Sequence, residues 1–465
     1  MRAVAVGGAL GLVVIAGVGG VAAQSAGVDQ EVTVLTLREA LERASRFNPQ
    51  YRQALNRMEL EGPQRREALG AFLPSLRVNY TTGQSFRRER TALDNFGNPI
   101  QNERTGISTT SNSSQGVNVD LDLLRGGQRF HDFSRAQAQA RVERLSAERE
   151  LNQVLAEVQR QFLIAQRRRA QLAVEEALLA ARESDYEVTQ RLFELATVGR
   201  SEVLGAELDL ETQRVAVREY RGLVDKAMLA LRKAIGDPSL RELDVQQELP
   251  EPFDPASLDL DALLASALVE SPTIGAAKAS RSVGQSRLNS VRAGRWPTLS
   301  LSSGFSRSAY ESERSALFAW NPEDFGGRVS LTVSIPLFRQ FTTSQQIASA
   351  DIELRNAQED VRAAELDLEE LVGTRYVDLE TAWANVRQRE AALAVAEERL
   401  RIVQEEYRLA TKSIEELRTA VRDQATAQRD AVDQRFEFAG ALLGLYEAAG
   451  IVAREAGLAT TREQD

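Results

Sequence analysis

The sequence predicts an α+β membrane protein built as two tandem repeats, each with two amphipathic strands and one long helical hairpin. Three observations carry this reading. Landmark residues recur in the same order in both halves. Two segments of each half alternate apolar with polar residues. Each half also contains a long run with an apolar residue at every seventh position.

The repeat organises the rest. "LREALERASRFNPQYRQAL" (37–55) aligns with "LDALLASALVESPTIGAAK" (260–278), and Pro49 falls on Pro272 (272 − 49 = 223). Pro74 falls on Pro297 at the same offset. Farther on, "LATVGRSEVL" (195–204) falls on "LATKSIEELR" (409–418), and Gly236 on Gly450 (450 − 236 = 214). The shorter offset marks a shorter connection between the strands of the second copy. The expected organisation is a signal peptide at 1–23, a first repeat at 33–236, a Pro-rich linker at 237–258, a second repeat at 259–450 and a tail at 451–465.

The strands come next. Leu76, Val78 and Tyr80 alternate with Arg77, Asn79 and Thr81, and Val117, Val119, Leu121 and Leu123 with Asn118, Asp120 and Asp122. In the second copy Leu299, Leu301 and Phe305 stand against serines, as do Val329, Leu331, Val333, Ile335 and Leu337 against Ser330, Thr332 and Ser334. Period-two alternation means a sheet with one apolar face. The expected strands are about 75–86, 116–124, 298–309 and 328–337, joined by polar loops at 87–115 and 310–327. Four strands are too few for a barrel, since single-chain outer-membrane barrels start at about eight. Three chains would supply twelve. Arg77, Asn118, Asp120 and Asp122 would then line an aqueous lumen.

The helices follow directly. No Pro or Gly interrupts 129–195, and only Gly373 interrupts 339–410. Val372, Leu379, Val386, Leu393, Leu400 and Tyr407 keep a seven-residue spacing, as do Val158, Ala165, Leu172, Leu179, Tyr186 and Phe193. A sustained seven-residue repeat is a coiled-coil signature. A helix of that length is roughly 100 Å long, far more than a bilayer, so most of it stands in water. The expected hairpins are 128–236 and 339–450, and Gly126-Gly127 relieve the backbone where strand turns to helix.

Composition narrows the function. The chain of 465 residues has no Cys, which excludes thiolate metal sites and Cys nucleophiles. His131 is its one histidine, and no His-rich zinc site is available. A formal charge of −10 argues against nucleic acid as a partner. The reading calls for no cofactor and no enzymatic activity. Arg2 followed by "AVAVGGALGLVVIAGVGGVAA" reads as a secretory signal, with a permanent anchor as its alternative. Beyond it, no stretch approaches the roughly 20 apolar residues of a spanning helix. "ALFAWNPEDF" (316–325) offers Phe318, Trp320 and Phe325 as an interfacial girdle.

Together the paired "NP" and "SP" helix entries, "FLPSLRVNY" and "RWPTLSLSS", "LLRGGQR" and "IPLFRQF", and "LATVGRSEV" and "LATKSIEEL" make the chain resemble the TolC-like family of outer-membrane efflux proteins. The resemblance covers about residues 33 to 450. It implies a homotrimer in the outer membrane of a Gram-negative bacterium: a twelve-stranded β-barrel embedded in lipid and continuous with a periplasmic α-helical barrel. It implies an exit duct for efflux or type I secretion. The partners implied are a periplasmic adaptor (membrane fusion protein) and an inner-membrane pump of RND, ABC or MFS type. Tyr407, Lys412 and Glu416 match the family's gate positions, and Glu202 is the first-copy equivalent of Glu416. A second acidic gate position falls on Thr419, where this chain departs. Glu415, Glu416 and Glu202 equally suit the first turn of a helix. Ala196, Thr197, Gly199 and Ser201 in one tip, and Ala410, Thr411 and Ser413 in the other, are the expected adaptor contacts. The rival reading is a periplasmic coiled-coil adaptor or scaffold without a channel; lipid-facing strands speak against it.

Overall fold

The structure is a computed structural model that describes residues 33–88, 96, 107–247, 249–311, 324–409 and 411–452. The signal segment 1–23, Phe318, Trp320 and Ala410 lie outside the described residues.

The two copies repeat the same order of helices and strands. Copy one opens with strand β1 (Thr33–Leu35) and helix α1 (Leu37–Phe47), followed by α2 (Pro49–Met58) and α3 (Glu61–Gly70). Strands β2 (Ser75–Arg88) and β3 (Ile107–Arg125) lead into helices α4 (Gln128–Glu194) and α5 (Arg200–Ile235). After β4 (Leu243–Val245), copy two runs α6 (Leu260–Glu270), α7 (Pro272–Ala293), β5 (Thr298–Glu311), β6 (Asp324–Ser334), α8 (Thr342–Arg408) and α9 (Ile414–Ala449). The long helices α4 and α8 both have 67 residues, and α5 and α9 both have 36. Among the helices the match breaks at α7, whose first-copy counterpart is split into α2 and α3. Pro63 stands near the start of α3, where it cannot donate to the carbonyl four residues back and its ring crowds that turn. The equivalent position in α7 is Ser286.

Helix boundaries follow from local chemistry. Thr36 and Glu39 form a capping box on α1. Asn48 and Ser271 cap the following helices, each with Pro at the first helical position. Both long hairpins end on a left-handed glycine, Gly236 (φ 75°) and Gly450 (φ 72°). A Cβ on Gly236 would come within 2.7 Å of Pro49 Cδ, and one on Gly450 within 3.6 Å of Pro272 Cδ. The recurring Pro and Gly landmarks therefore touch: each hairpin ends against the helix entry of its own copy.

Four antiparallel strands form one sheet in the order β2-β3-β5-β6. The central β3–β5 pair joins copy one to copy two, while β2 and β6 are open edges among the described residues. Two expectations need correction. β3 starts at Ile107, well before the alternating stretch, because "STTSNSSQ" pairs through its backbone, Ser111 with Gln84 and Ser114 with Thr81. The loops are therefore shorter than 87–115 and 310–327. Conversely, β6 stops at Ser334, and Ile335 and Leu337 lie outside it. Pro336 between them has no N–H for a ladder.

One further expectation is amended. The stretch Leu260–Ala293 contains an 18-residue window of mean hydropathy 1.2. The window is not one continuous helix, because Ser271 caps a new one at Pro272. The stretch 237–258 is also less free than a linker: β4 pairs in parallel with β1, and Tyr376 donates to the carbonyl of Pro255.

The two largest buried clusters sit where the hairpins meet the short helices. One gathers Leu41, Leu155, Val158, Phe162 and Leu231, the other Ile274, Val372, Leu379, Phe438 and Leu445. Along the seven-residue seams, Val158, Ala165, Leu172, Val372, Leu379 and Val386 are buried, while Leu179, Tyr186, Leu393, Leu400 and Tyr407 are half-exposed. Burial therefore fades toward the hairpin tips.

Candidate channel lining and gate

The sheet has two unlike faces. Leu76, Val78, Val117, Val119, Leu301, Val329, Leu331 and Val333 share one, and several are over 60% exposed: Val78 is 74% and Val329 73%. An apolar surface of this extent on a soluble face would mark contact with lipid or protein. Phe305 and Phe325 stack on it with ring centroids 6.1 Å apart.

The other face carries Arg77, Asn79, Asn118, Asp120, Ser302, Ser306, Arg328 and Ser330 around a hollow of about 660 Å³. Arg77 Nη2 donates to Asp120 Oδ2 at 2.6 Å. Gly304 keeps this face low, since a Cβ there would lie 2.9 Å from Asn118 Oδ1. Of the expected lumen residues, Arg77, Asn118 and Asp120 come together. Asp122 stands apart at the strand end, held by Arg125 at 3.0 Å and Arg129 at 3.6 Å. A bulge between Asp122 and Leu124 turns the strand there. Within the hollow Arg77 and Asp120 are paired, and Arg328 adds a further positive charge.

At this corner the chain makes two successive left-handed residues, Gly126 (φ 56°) and Gly127 (φ 85°), before α4 begins. A Cβ on Gly126 would lie 2.4 Å from the Ala293 carbonyl oxygen and 2.6 Å from Trp296 Cβ. Gly127 meets nothing within 4 Å and is needed for its φ alone.

The tips are built alike in both copies. Thr197 N–H donates to Leu192 O and Ala196 N–H to Phe193 O, at 2.9 and 2.8 Å, with Ala196 left-handed (φ 59°). These two bonds define a Schellman closure, with alanine where glycine is usual. Thr411 repeats the longer bond to Glu406 O at 2.9 Å. The returning helices start differently. Ser413 caps α9 in a full capping box with Glu416, whereas Gly199 caps α5 with no side-chain bond.

Glu416 is the most heavily bonded group here. Lys412 Nζ donates to its Oε1 at 2.9 Å, and the N–H and hydroxyl of Ser413 donate to its Oε2 at 3.0 and 3.1 Å. The Lys412 bond first, and the Ser413 bonds after it, pull the Glu416 carboxyl down to about 2. The same bond raises Lys412. Glu202 is lowered by its own backbone N–H and then by the Ser201 hydroxyl, with a smaller contribution from Arg418. Lys412 and Glu416 are therefore brought together, in one helix start. Tyr407 is half-exposed in the last turn of α8 and makes no hydrogen bond to that pair.

Sequence reasoning missed Arg418. Its side chain is only 11% exposed, and Nη1 donates to Glu415 at 3.0 Å while Nε and Nη2 have no partner. It lies beside Gly205 of α5 and lines a cleft of about 210 Å³ with Arg182, Asp185, Gln404 and Leu417. Only its place three residues after Glu415 was visible in the sequence, and that spacing is common on solvated helices.

An open sheet with an apolar face and a wet face runs directly into hairpins of 67-residue helices, the alternation expected of strands that stand between lipid and water. Residues 263–451 match the profile of the outer membrane efflux protein family. The chain is 23% identical over 337 residues to the probable efflux pump outer membrane protein SepC of Pseudomonas putida, over 71% of this chain and 64% of that protein's length. Its fold is similar to the CmeC outer membrane channel of Campylobacter jejuni (TM-score 0.72, 14% identity, 92% of this chain and 88% of that one). It is also similar to the outer membrane protein VceC of Vibrio cholerae (TM-score 0.69, 16% identity, 89% and 96%). The second copy therefore carries the outer membrane efflux protein profile, and the fold of the chain as a whole is shared with these two outer membrane proteins.

Proposed function

We propose that three copies of this chain close a twelve-stranded barrel and form the exit duct of a tripartite efflux system, passive, and gated at the hairpin tips. The observation that carries this is the sheet itself. Among the described residues β2 and β6 are unpaired edges, which a membrane sheet does not leave open. The junction that would pair them already exists inside the chain, where β3 of copy one meets β5 of copy two with Asn118 opposite Gly304. Carrying that junction onward by the repeat offsets places Thr332 (118 + 214) opposite Thr81 (304 − 223) of the next chain.

The test uses the absence of cysteine. Thr81→Cys with Thr332→Cys should give covalent trimers on oxidation in outer-membrane extracts. Thr81→Cys paired with Val329→Cys, three residues out of register and on the opposite face, should not. A chain that stays monomeric and unlinked at every register would end the barrel reading.

In this reading the solute is chosen by an inner-membrane pump. Opening is read as the work of that pump and a periplasmic adaptor at Ala196, Thr197, Gly199, Ser201, Ala410, Thr411 and Ser413. Gly199→Cys should crosslink to the adaptor. For the gate, Glu416 and Glu202 would each form a ring of three carboxylates where the tube narrows, with Tyr407 beside them. Glu416→Ala and Lys412→Ala should raise single-channel conductance; unchanged conductance in both would reduce Lys412 and Glu416 to a helix cap.

A further inference from the structure

Every contact between copy one and copy two inside the chain has a counterpart between chains, found with the same two offsets. This deduction rests on the trimeric reading above and names the contact that joins its chains. Helix α7 lies between α4 and α8 and packs on both. Its counterparts α2 and α3 pack on α4, and their other flank is open: α3 buries no residue and α2 only Ala54. The missing neighbour is the α8 of a second copy.

The residues at that seam are not copies of those inside the chain. Where α4 meets α7, Leu145 packs on Gly275, whose Cβ position is 3.2 Å from Leu145 Cδ1 and 3.8 Å from its Cγ. The counterpart of Leu145 is Glu359 (145 + 214), and that of Gly275 is Arg52 (275 − 223). An apolar contact within the chain thus becomes a pair of opposite charges between chains. Both groups are open to such a role. Arg52 is exposed and makes no ion pair among the described residues. Glu359 is 75% exposed, and its partner within the chain is Arg362, only at 3.9 Å. At the spacing seen for Leu145 and Gly275, the guanidinium of Arg52 reaches the Glu359 carboxylate along the helix surface.

We propose that Arg52 of one chain forms an ion pair with Glu359 on α8 of a second copy, a charge lock found at the seams between chains and absent from those within them. It would appear three times around the ring. Its charges read the same offset as the strands, so it favours the one register in which β6 meets β2 correctly.

The experiment is a charge reversal, on the full chain extracted in detergent. Arg52→Glu and Glu359→Arg are made singly and together, and the trimer fraction is followed by light scattering on dilution. Each single reversal should move the half-dissociation concentration on the order of tenfold, from three like-charge contacts. The double reversal should restore it, and the difference should shrink in 1 M salt. Arg52→Gln and Glu359→Gln, which leave no like charges, should show the weaker half of the effect. If the double is no better than the singles, or all five variants match the parent while Thr81→Cys and Thr332→Cys still crosslink, the ion pair is wrong and the barrel stands. If the parent itself gives no trimer and no crosslink, both fall together.

Discussion

Copy one and copy two have equal element lengths at almost every corner, yet they solve those corners with different chemistry. At the strand-to-helix turn, copy one uses Gly126 and Gly127, while copy two puts Gln340 (φ 49°) and Phe341 (φ 64°) in the same left-handed pair. The geometry is common to both. What differs is the neighbour: Gly126 is pressed against Ala293 and Trp296, while Phe341 is 75% exposed. Between the hairpins the contrast recurs. Glu175 in α4 is 3% exposed, accepts from Gln213 Nε2 at 2.7 Å, and meets Arg429 of α9 at 2.8 Å, as an ion pair more than an aligned hydrogen bond. Its second-copy counterpart is Arg389, which pairs with Asp430 on an exposed surface at 3.0 Å. Repetition preserves backbone form, and side chains are fitted to whether a seam is closed within the chain or left open.

The strongest way to break that comparison is to exchange the corner residues. Gly126→Gln should lower stability by about 3 kcal/mol or more, from overlap with Ala293 and Trp296 together with a strained φ. Gln340→Gly should be neutral or stabilising by about 1 kcal/mol. Thermal unfolding of the detergent-extracted protein measures both, and equal tolerance would refute the closed-versus-open account.

The ion pairs should differ next. Arg429→Ala strands a buried carboxylate and should cost about 3 kcal/mol. Arg389→Ala breaks a surface pair and should cost under about 1 kcal/mol. A reversed order in denaturant melts would place the structural lock in the wrong copy.

The tips give a smaller effect with a defined sign. Glu416 is lowered in the fold from 4.5 to about 2, so its contribution is complete above pH 4.5 and fades as pH falls toward 2. Amide exchange at the start of α9 should therefore be insensitive to pH from 5 to 8 and quicken below about 4. Glu416→Gln should abolish that dependence. The smallest change sharpens the comparison further. Gly199→Ser would give α5 the cap that Ser413 gives α9, at an N-cap φ of −80° that serine accepts. A gain of a few tenths of a kcal/mol in helix stability is expected.

Much of this was legible in the chain, and its limits follow from what alternation and spacing report. Val117 to Leu123 announced a strand because a half-buried sheet sorts its side chains by face. Ser111 to Gln115 did not, since backbone pairing with β2 leaves no mark on side-chain polarity. Ile335 and Leu337 continued the alternation past Ser334, and only the missing N–H of Pro336 betrayed the end. Among the gate candidates, Lys412 and Glu416 were readable as neighbours four apart on a helix, while Arg418 was not, because its burial depends on α5 lying beside α9.

By itself the sequence determined the repeat, the lengths of the helices, the alternating strands and the turns that need glycine. These depend on local sterics, hydrogen-bond periodicity and the sorting of apolar residues, all of which act between near neighbours. The tertiary structure alone decided that β3 pairs with β5, that Gly236 meets Pro49, that Glu175 finds Arg429, and that two sheet edges stay open. Those outcomes depend on which surfaces approach across more than a hundred residues, and that is settled by packing in three dimensions, where a residue's role depends on the neighbour it meets.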